Sequence, residues 1–369
     1  MSALLRAGID AHMVGGQETG NETYVRGLVE GFKAFTSRLE VFVYHVGSPW
    51  TQPDGHQHFG RLLSANPYMR LGLELPLRSL AQRLDILHMT YSTPLWSAAP
   101  MVLTVHDICY ATNPEWFSER DLRVLSSNVP RSLRAAAHVI TDSQSARGQI
   151  IEHYHVPDSK ISMIPIGAGP AAEPISLEDA RGELAALGVD TARPFLLAVG
   201  NLQPRKNLVR LLEAFKELVG PRGHDVDLVI VGPRHFRAEE AVAASAAVAE
   251  RVRFTGYVTD RQLAAFYRCS IAFVFPSLYE GFGLPALEAM SHGVPVACSN
   301  AGSLPEVTGD AALLFDPLSV EAIIDAVDRV LGDADLRKRL SAAGFERAKQ
   351  FSWTKSAELT LDVYEKARS

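Results

Sequence analysis

Two stretches of the chain combine charged side chains with glycine and proline at a spacing suited to an anionic, hydroxyl-rich ligand. In the first, Phe275-Pro-Ser-Leu-Tyr-Glu-Gly-Phe-Gly-Leu-Pro-Ala-Leu-Glu-Ala-Met290, an apolar strand runs into a glycine-containing loop. The pattern starts a helix near Leu284, with Pro285 in its first turn and Gly293 past its end. Gly281 and Gly283 let backbone approach a ligand closely, and the helix start offers amide donors and a positive dipole end to a diphosphate. Glu280 falls on the loop and Glu288 about one turn into the helix, so both carboxylates can face one cavity and accept hydrogen bonds from sugar and ribose hydroxyls. The plain structural alternative is a capping box, Ser277-x-x-Glu280, with Glu288 a solvated helix residue. In the second stretch, Phe195 to Arg210, a buried strand meets a glycine turn and a helix opening near Pro204, with Arg205 and Lys206 in its first turn. Cations oppose the macrodipole there, and a bound phosphate gives a reason for them; two solvated surface charges are the alternative.

The first half carries weaker signals. Leu4 to Ile9 leads into the loop from Val14 to Gly20, with Gly15 and Gly16, and then a helix through Tyr24, Leu28 and Phe32. The strand Met101 to Val105 ends in His106-Asp107, a titratable pair suited to proton transfer or hydrogen bonding, in which Asp107 orients the histidine or caps the next segment. A structural histidine is the competing reading, and His88, after another strand-like run, has less support.

Short apolar runs separated by helical patterns must position these groups. They are Leu4 to Ile9, Val41 to Val46, Ile86 to Met89, Met101 to His106, His138 to Thr141 and Ile161 to Pro165, then Phe195 to Val199, Val226 to Val231, Val252 to Thr255, Ile271 to Phe275, Val294 to Ala297 and Leu313 to Phe315. Continuous apolar strands joined by helices indicate parallel α/β sheets buried on both faces. The Gly- and Pro-rich segment 167–174 reads as a linker between two such sheets, and the tail from Ser352 carries Ala357, Leu361 and Tyr364 at helical spacing, as a docking helix. In parallel sheets ligands bind beyond the carboxyl ends of the strands, which is where both motif stretches and His106 fall.

At 369 residues, 47% hydrophobic and with a net charge of −6, the chain has room for two cores and no global attraction to nucleic acid. No apolar run is long enough to span a bilayer, and Arg6 and Asp10 interrupt any signal-peptide core, so a cytoplasmic protein is expected. Cys109, Cys269 and Cys298 lack close pairing, which argues against a disulfide framework or a zinc knuckle, and Cys298 reads as buried packing. A nicotinamide oxidoreductase would want a Gly-x-Gly-x-x-Gly turn with a following acidic residue, which the first loop lacks.

The sequence resembles the retaining glycosyltransferases of family 4 over nearly its whole length. The carrying motifs are Glu280-Gly-Phe-Gly-Leu-Pro-Ala-Leu-Glu288 and Gly200-Asn-Leu-Gln-Pro-Arg-Lys-Asn207, supported by Thr104-Val-His-Asp107, Thr141-Asp-Ser-Gln-Ser145, Gly256-Tyr-Val258, Gly302-Ser-Leu-Pro-Glu306 and the segment 309–317. The resemblance implies the GT-B fold: two Rossmann-like, doubly wound parallel-sheet domains facing across a cleft. The expected division is residues 1–170 for the acceptor, 171–351 for a nucleotide sugar, and a terminal helix, 352–369, crossing back to the first domain. It further implies that Arg205 and Lys206 bind the donor diphosphate, Glu280 the donor sugar and Glu288 the ribose. Gly281, Phe282, Gly283 and Leu284 would supply backbone donors, Tyr257 and Val258 border the base, Gly16 lie near the phosphates and His106 near the reacting carbon. Such enzymes typically need no divalent metal. One departure is Gly20-Asn-Glu-Thr-Tyr24, where many relatives show Gly-Ile-Gly-Arg-Tyr.

The pattern looks most like bacterial mannosyltransferases of polysaccharide assembly, with GDP-mannose the leading donor, UDP-glucose or a deoxyhexose donor the alternatives, and a saccharide or lipid-linked saccharide as acceptor. A catalytically idle nucleotide-sugar-binding scaffold is the competing class. Arg61, Arg70, Arg78 and Arg83 around Tyr68, Met69, Leu71 and Leu73 form a basic and apolar stretch suited to peripheral contact with the inner membrane surface; a solvated helix and loop is the alternative.

Overall fold

The computed structural model describes residues 4–16, 19–51, 54–168 and 175–368, with only the backbone of Thr19. The chain forms two units: Met1–Pro114 with Glu119–Gly167 and Phe351–Ser369, and Glu115–Ser118 with Ala168–Gln350. Residues 169–174 of the expected linker lie outside the described residues.

The first unit holds a seven-stranded parallel sheet: β1 Leu5–Asp10, β2 Leu39–His45, β3 Gln57–Arg61, β4 Ile86–Thr90, β5 Met101–Thr104, β6 His138–Thr141 and β7 Ile161–Met163, in the order β3-β2-β1-β4-β5-β6-β7. The second holds six: β8 Phe195–Val199, β9 Asp227–Val231, β10 Val252–Gly256, β11 Ala272–Phe275, β12 Val296–Ser299 and β13 Ala312–Phe315, in the order β10-β9-β8-β11-β12-β13. Both are doubly wound, and strand order reverses between β1 and β4 and between β8 and β11, which is where such sheets open a ligand crevice. All neighbours pair in parallel, as runs such as Phe195 to Val199 require when helices cover both faces.

Sequence reading omitted β3. Its Gln-His-Phe-Gly-Arg has no apolar run because it is an edge strand, and buried Gln57 donates from Nε2 to the Val29 carbonyl at 2.6 Å instead of packing an aliphatic chain. Two expected strands also stop early: β5 ends at Thr104, which leaves His106 beyond the sheet, and β7 ends at Met163.

The terminal helix, Trp353–Arg368, belongs to the first unit, with Ala357, Leu361 and Tyr364 fully buried. It packs on the helix Thr19–Phe32, where glycine is mandatory: a Cβ at Gly27 would stand 2.1 Å from the Trp353 ring, and one at Gly31 2.3 Å from the Trp353 carbonyl oxygen. Gly167 takes the same role from the end of the sheet, with Trp353 backbone 2.5 Å from a built Cβ. Cys298 is buried in β12, where burial pushes its thiol up to about 12, and so packs as expected.

Candidate active site

In the second unit the loops after β8 and β11 meet at the switch point. Lys206 Nζ donates to Glu280 Oε1 at 2.7 Å, and Arg205 Nη1 donates to Glu280 Oε2 at 2.7 Å and to the Tyr279 carbonyl at 2.9 Å. Lys206 also lies over the Phe275 ring at 4.7 Å, and Lys206 and Glu280 are buried. Burial alone would push the Glu280 carboxyl up, but Arg205 and then Lys206 outweigh it and hold the value at about 2. Glu280 is therefore a carboxylate at any working pH. It can accept hydrogen bonds and cannot serve as an acid. Ser303 anchors this loop, its hydroxyl donating to the carbonyls of Glu280 at 3.0 Å and Phe282 at 2.6 Å.

Arg205 and Lys206 do not lie in the first turn of a long helix. They occupy a 3₁₀ turn, Pro204–Lys206, and Asn207 breaks it from the α-helix Leu208–Val219 by adopting φ 56°. Its Nδ2 group donates to the carbonyls of Pro276 and Pro317, at 3.0 and 2.7 Å, so the break is locked by both neighbouring loops. The anion that explains the two cations in this structure is Glu280 itself.

The helix Leu284–Ser291 starts as expected, with Gly283 at its N-cap at φ 105° and Pro285 in the first turn. A Cβ on Gly283 would stand 2.5 Å from the Leu304 side chain, so glycine is needed for packing as well as for the turn. There is no capping box at Ser277, because Glu280 is engaged by the cations and the helix begins beyond it. Gly281 and Phe282 are buried beside Glu280 in the chain, and Leu284 is partly exposed. Glu288 accepts from the Tyr267 hydroxyl at 3.0 Å. Burial pushes its carboxyl up to about 7, the Tyr267 bond opposing and Asp260 adding. Tyr257, exposed, and Val258, buried, follow β10, two strands from β8 in the same sheet.

Gly16 and His106 belong to the first unit. Gly16 is exposed in the turn after β1. His106, two residues beyond β5, donates from Nδ1 to Asp142 at the end of β6. Asp142, not the neighbouring Asp107, orients the ring; Asp107 Oδ1 accepts from the amide of Cys109, the first residue of the next helix, at 3.1 Å. Burial disfavours the imidazolium, yet the Asp142 charge and hydrogen bond, with Asp107, raise the His106 value. Nε2 of His106 is buried and meets no hydrogen-bond partner among the described residues. His88 lies within β4 and is bound on both nitrogens, to the Tyr364 hydroxyl at 2.5 Å and Thr104 Oγ1 at 2.7 Å, with burial pushing it down to about 3. It is a structural histidine tying the terminal helix to the sheet. Tyr24 packs edge-on against His106 at 4.8 Å and hydrogen-bonds Thr104 at 2.9 Å.

Sequence reasoning missed Asp142, Ser303 and Asn207 as site-building residues, although all three stand in the motifs quoted above. The discoverable signal for Asp142 was its place directly after a strand beside the one that delivers His106.

Residues 18–170 match the family model described as Glycosyltransferase Family 4, and residues 181–347 the one described as Glycosyl transferases group 1. The chain is 36% identical over 269 residues to O-antigen chain mannosyltransferase B from Escherichia coli, covering 71% of this chain and 69% of that protein. It is 30% identical over 71% of its length to the serotype-specific mannosyltransferase WbdA from Escherichia coli, and spans 33% of that longer protein. Among solved structures, sucrose-phosphate synthase from Thermosynechococcus elongatus superposes with a TM-score of 0.76 at 21% identity, over 98% of each chain, which is a likeness of fold. Taken with the two doubly wound sheets, these likenesses place the chain in glycosyltransferase family 4, with the GT-B fold.

Proposed function

We propose that this glycosyltransferase is a retaining, metal-independent mannosyltransferase that takes mannose from GDP-mannose and adds it to a saccharide or lipid-linked saccharide acceptor in cell-surface polysaccharide assembly. The observation carrying this reading is the Arg205–Lys206–Glu280 cluster at the switch point of the second unit. Two cations gathered beside one carboxylate at the end of the strands suit a diphosphate. Arg205 offers the planar fork and Lys206 the point charge, and both stabilise negative charge that grows on the leaving nucleotide. Glu280, held ionised, accepts from the donor sugar hydroxyls, and Glu288 accepts from the ribose. The loops after β10 and β11, with Tyr257, Val258 and Gly281 to Leu284, border the nucleotide, and the first unit receives the acceptor.

Transfer forms the bond between the acceptor oxygen and the anomeric carbon and breaks the bond from that carbon to the phosphate oxygen; the acceptor's proton passes to the departing phosphate on the same face. Glu280 is a poor nucleophile for the covalent route because both its oxygens are engaged by cations. His106, fixed by Asp142 through Nδ1, presents Nε2 to a hydroxyl of the acceptor. A cytoplasmic location is in keeping with three cysteines that form no disulfide.

The test is incubation of the purified protein with GDP-mannose, UDP-glucose and a deoxyhexose donor. Donor turnover and the anomeric configuration of the product are followed by NMR. GDP-mannose consumption giving an α-linked product is expected. Preference for UDP-glucose would overturn the donor assignment, and binding without turnover would make the protein a scaffold.

A further inference from the structure

Tyr267 stands near the end of the helix Asp260–Cys269, whose register is set at its start by a capping box. Thr259 Oγ1 accepts from the Gln262 amide at 3.3 Å, and Gln262 Oε1 from the Thr259 amide at 3.0 Å. The helix turns Ala264, Ala265, Phe266 and Tyr267 inward, and Tyr267 is 1% exposed. A phenol so deep must place its hydroxyl on a partner. It donates to Glu288 Oε2 at 3.0 Å, with the Pro285 carbonyl 3.3 Å away, so both acceptors stand on the helix Leu284–Ser291. Burial and the Glu288 charge push the phenol well above its ordinary value, which keeps the proton on its oxygen. The hydroxyl is therefore a standing donor to the carboxylate.

The ring cannot swing away. His292 stacks on it, with ring centroids 5.1 Å apart at 26°, and Phe273 of β11 lies at 5.9 Å. His292 is itself held by the Glu288 backbone: its Nδ1 donates to the Glu288 carbonyl at 2.9 Å and its amide to the same oxygen at 3.1 Å. The Glu288 backbone thus holds His292, His292 backs Tyr267, and Tyr267 holds the Glu288 carboxylate. One carboxylate oxygen is pinned. The other, Oε1, accepts from no donor among the described residues and is not sealed from solvent in half-buried Glu288, so it is the oxygen left for a ligand. Asp260, on the helix of Tyr267, is the other charge acting on this carboxyl. The helices Leu304–Thr308 and Ala334–Ala348 and the strands β11 and β12, which pack on the helix of Glu288, add none.

We infer that Tyr267 is the positioning residue of the nucleotide's ribose contact: it turns the Glu288 carboxylate so that Oε1 meets a ribose hydroxyl, and so makes the site prefer a nucleotide that carries one. This role of Tyr267 rests on the proposed role of Glu288 as the ribose contact. A glutamate pinned at one oxygen has little side-chain freedom left to lose when the ligand arrives, and the bond from Tyr267 favours its ionised form, the stronger acceptor. Tyr267 acts through Glu288 and not on the reacting atoms.

The experiment compares the parent protein with Tyr267→Phe, which keeps the ring and its stack, in two measurements. Carbon-13 NMR of glutamate-labelled protein without ligand follows the carboxyl titration, with Glu288→Gln assigning the signal. Its midpoint near 7 is expected to rise by about 1–2 units when a hydrogen bond to the charged form is lost. Calorimetry then compares GDP and UDP with their 2′,3′-dideoxy forms. The parent is expected to prefer the ribonucleotide, and Tyr267→Phe to narrow that preference about twofold to tenfold. In the Glu288→Gln background the tyrosine substitution is expected to narrow it no further. Thermal melts matching the parent confirm folding. A Glu288 midpoint unmoved by Tyr267→Phe, or a narrowing that persists in the Glu288→Gln background, overturns the role of Tyr267 and leaves the ribose contact standing. A parent that binds ribonucleotide and dideoxynucleotide equally, while the Glu288 midpoint moves as expected, overturns the ribose contact and the role of Tyr267 with it.

Discussion

Replacing Asp142→Asn tests whether the charge state of His106 is set by one carboxylate. His88 and His106 both pack edge-on to Tyr24, at 6.3 and 4.8 Å, and both are buried in the same unit. His88 has no carboxylate partner and is pushed down to about 3, whereas His106, paired with Asp142, is raised. The groups facing His106 are Tyr24 from the first helix, Tyr91 after β4, His88 within β4, Asp107 beside it and Asp142 after β6. With asparagine at 142, burial prevails and Asp107 is left as the nearest support. An opposite charge at contact distance shifts a titration by about 1–3 units, worth about 1–4 kcal/mol at about 1.4 kcal/mol per unit. A raised folded-state value stabilises the fold fully below the unfolded histidine value of about 6.5, and that contribution fades as pH rises through the folded value. The variant should therefore lose most stability on the acidic side and approach the parent protein at alkaline pH. Long-range nitrogen–proton NMR of histidine-labelled protein reads the titration directly, with His106→Gln assigning the signal among the twelve histidines. A His106 titration unmoved by Asp142→Asn, or a stability deficit that grows with pH, would refute the reasoning.

Glu280→Gln should lower transfer about 10²–10³-fold, the range for losing one preorganised polar contact to a reacting group, measured as initial donor turnover. Glu288→Gln should remove a pH dependence of nucleotide binding: a carboxyl near 7 accepts from a ribose more strongly when ionised, so parent affinity should rise with pH up to about 7 and level off above it, while the glutamine variant stays flat in calorimetric titrations. Gly27→Ala forces a Cβ into the Trp353 ring and should cost at least about 1–3 kcal/mol in urea unfolding, with loss of protection in the terminal helix by hydrogen exchange.

Local chemistry was the legible part of this molecule. The start of the helix at Leu284 followed from Gly283 and Pro285, and five of the six strands in the second unit were read to within a residue or so, because parallel strands covered on both faces are continuous apolar runs. Where interactions skip along the chain, the reading failed. Asn207 looked like an ordinary helix residue, yet its left-handed backbone is held by carbonyls 69 and 110 residues away. Asp142 lies 36 residues from the histidine it orients, and the neighbouring Asp107 drew attention instead. The edge strand β3 is polar because it has a neighbour on one side only.

Environment, more than residue type, separates the roles of the paired titratable groups. Glu280 and Glu288 stand eight positions apart in one loop and helix, and burial pushes both upward. Two cations from the loop after β8 reverse the shift on Glu280, while a tyrosine hydroxyl leaves Glu288 near neutrality. Of the two carboxyls, Glu288 is therefore the one that ionises near pH 7, since Glu280 has no proton to lose there. The depressed value of Glu280 also fixes its effect on the fold: its contribution is present above the ordinary carboxyl value of 4.5 and is lost only as pH falls towards about 2. Arg205 and Lys206 stay neutralised in part by a carboxylate throughout the physiological range, so a diphosphate entering the site competes with Glu280 for their hydrogen bonds. A donor sugar that offers hydroxyls to Glu280 in the same step replaces what that carboxylate loses. On the proposed reading of the cluster as the donor site, a ligand carrying diphosphate and sugar together is therefore favoured over either part alone.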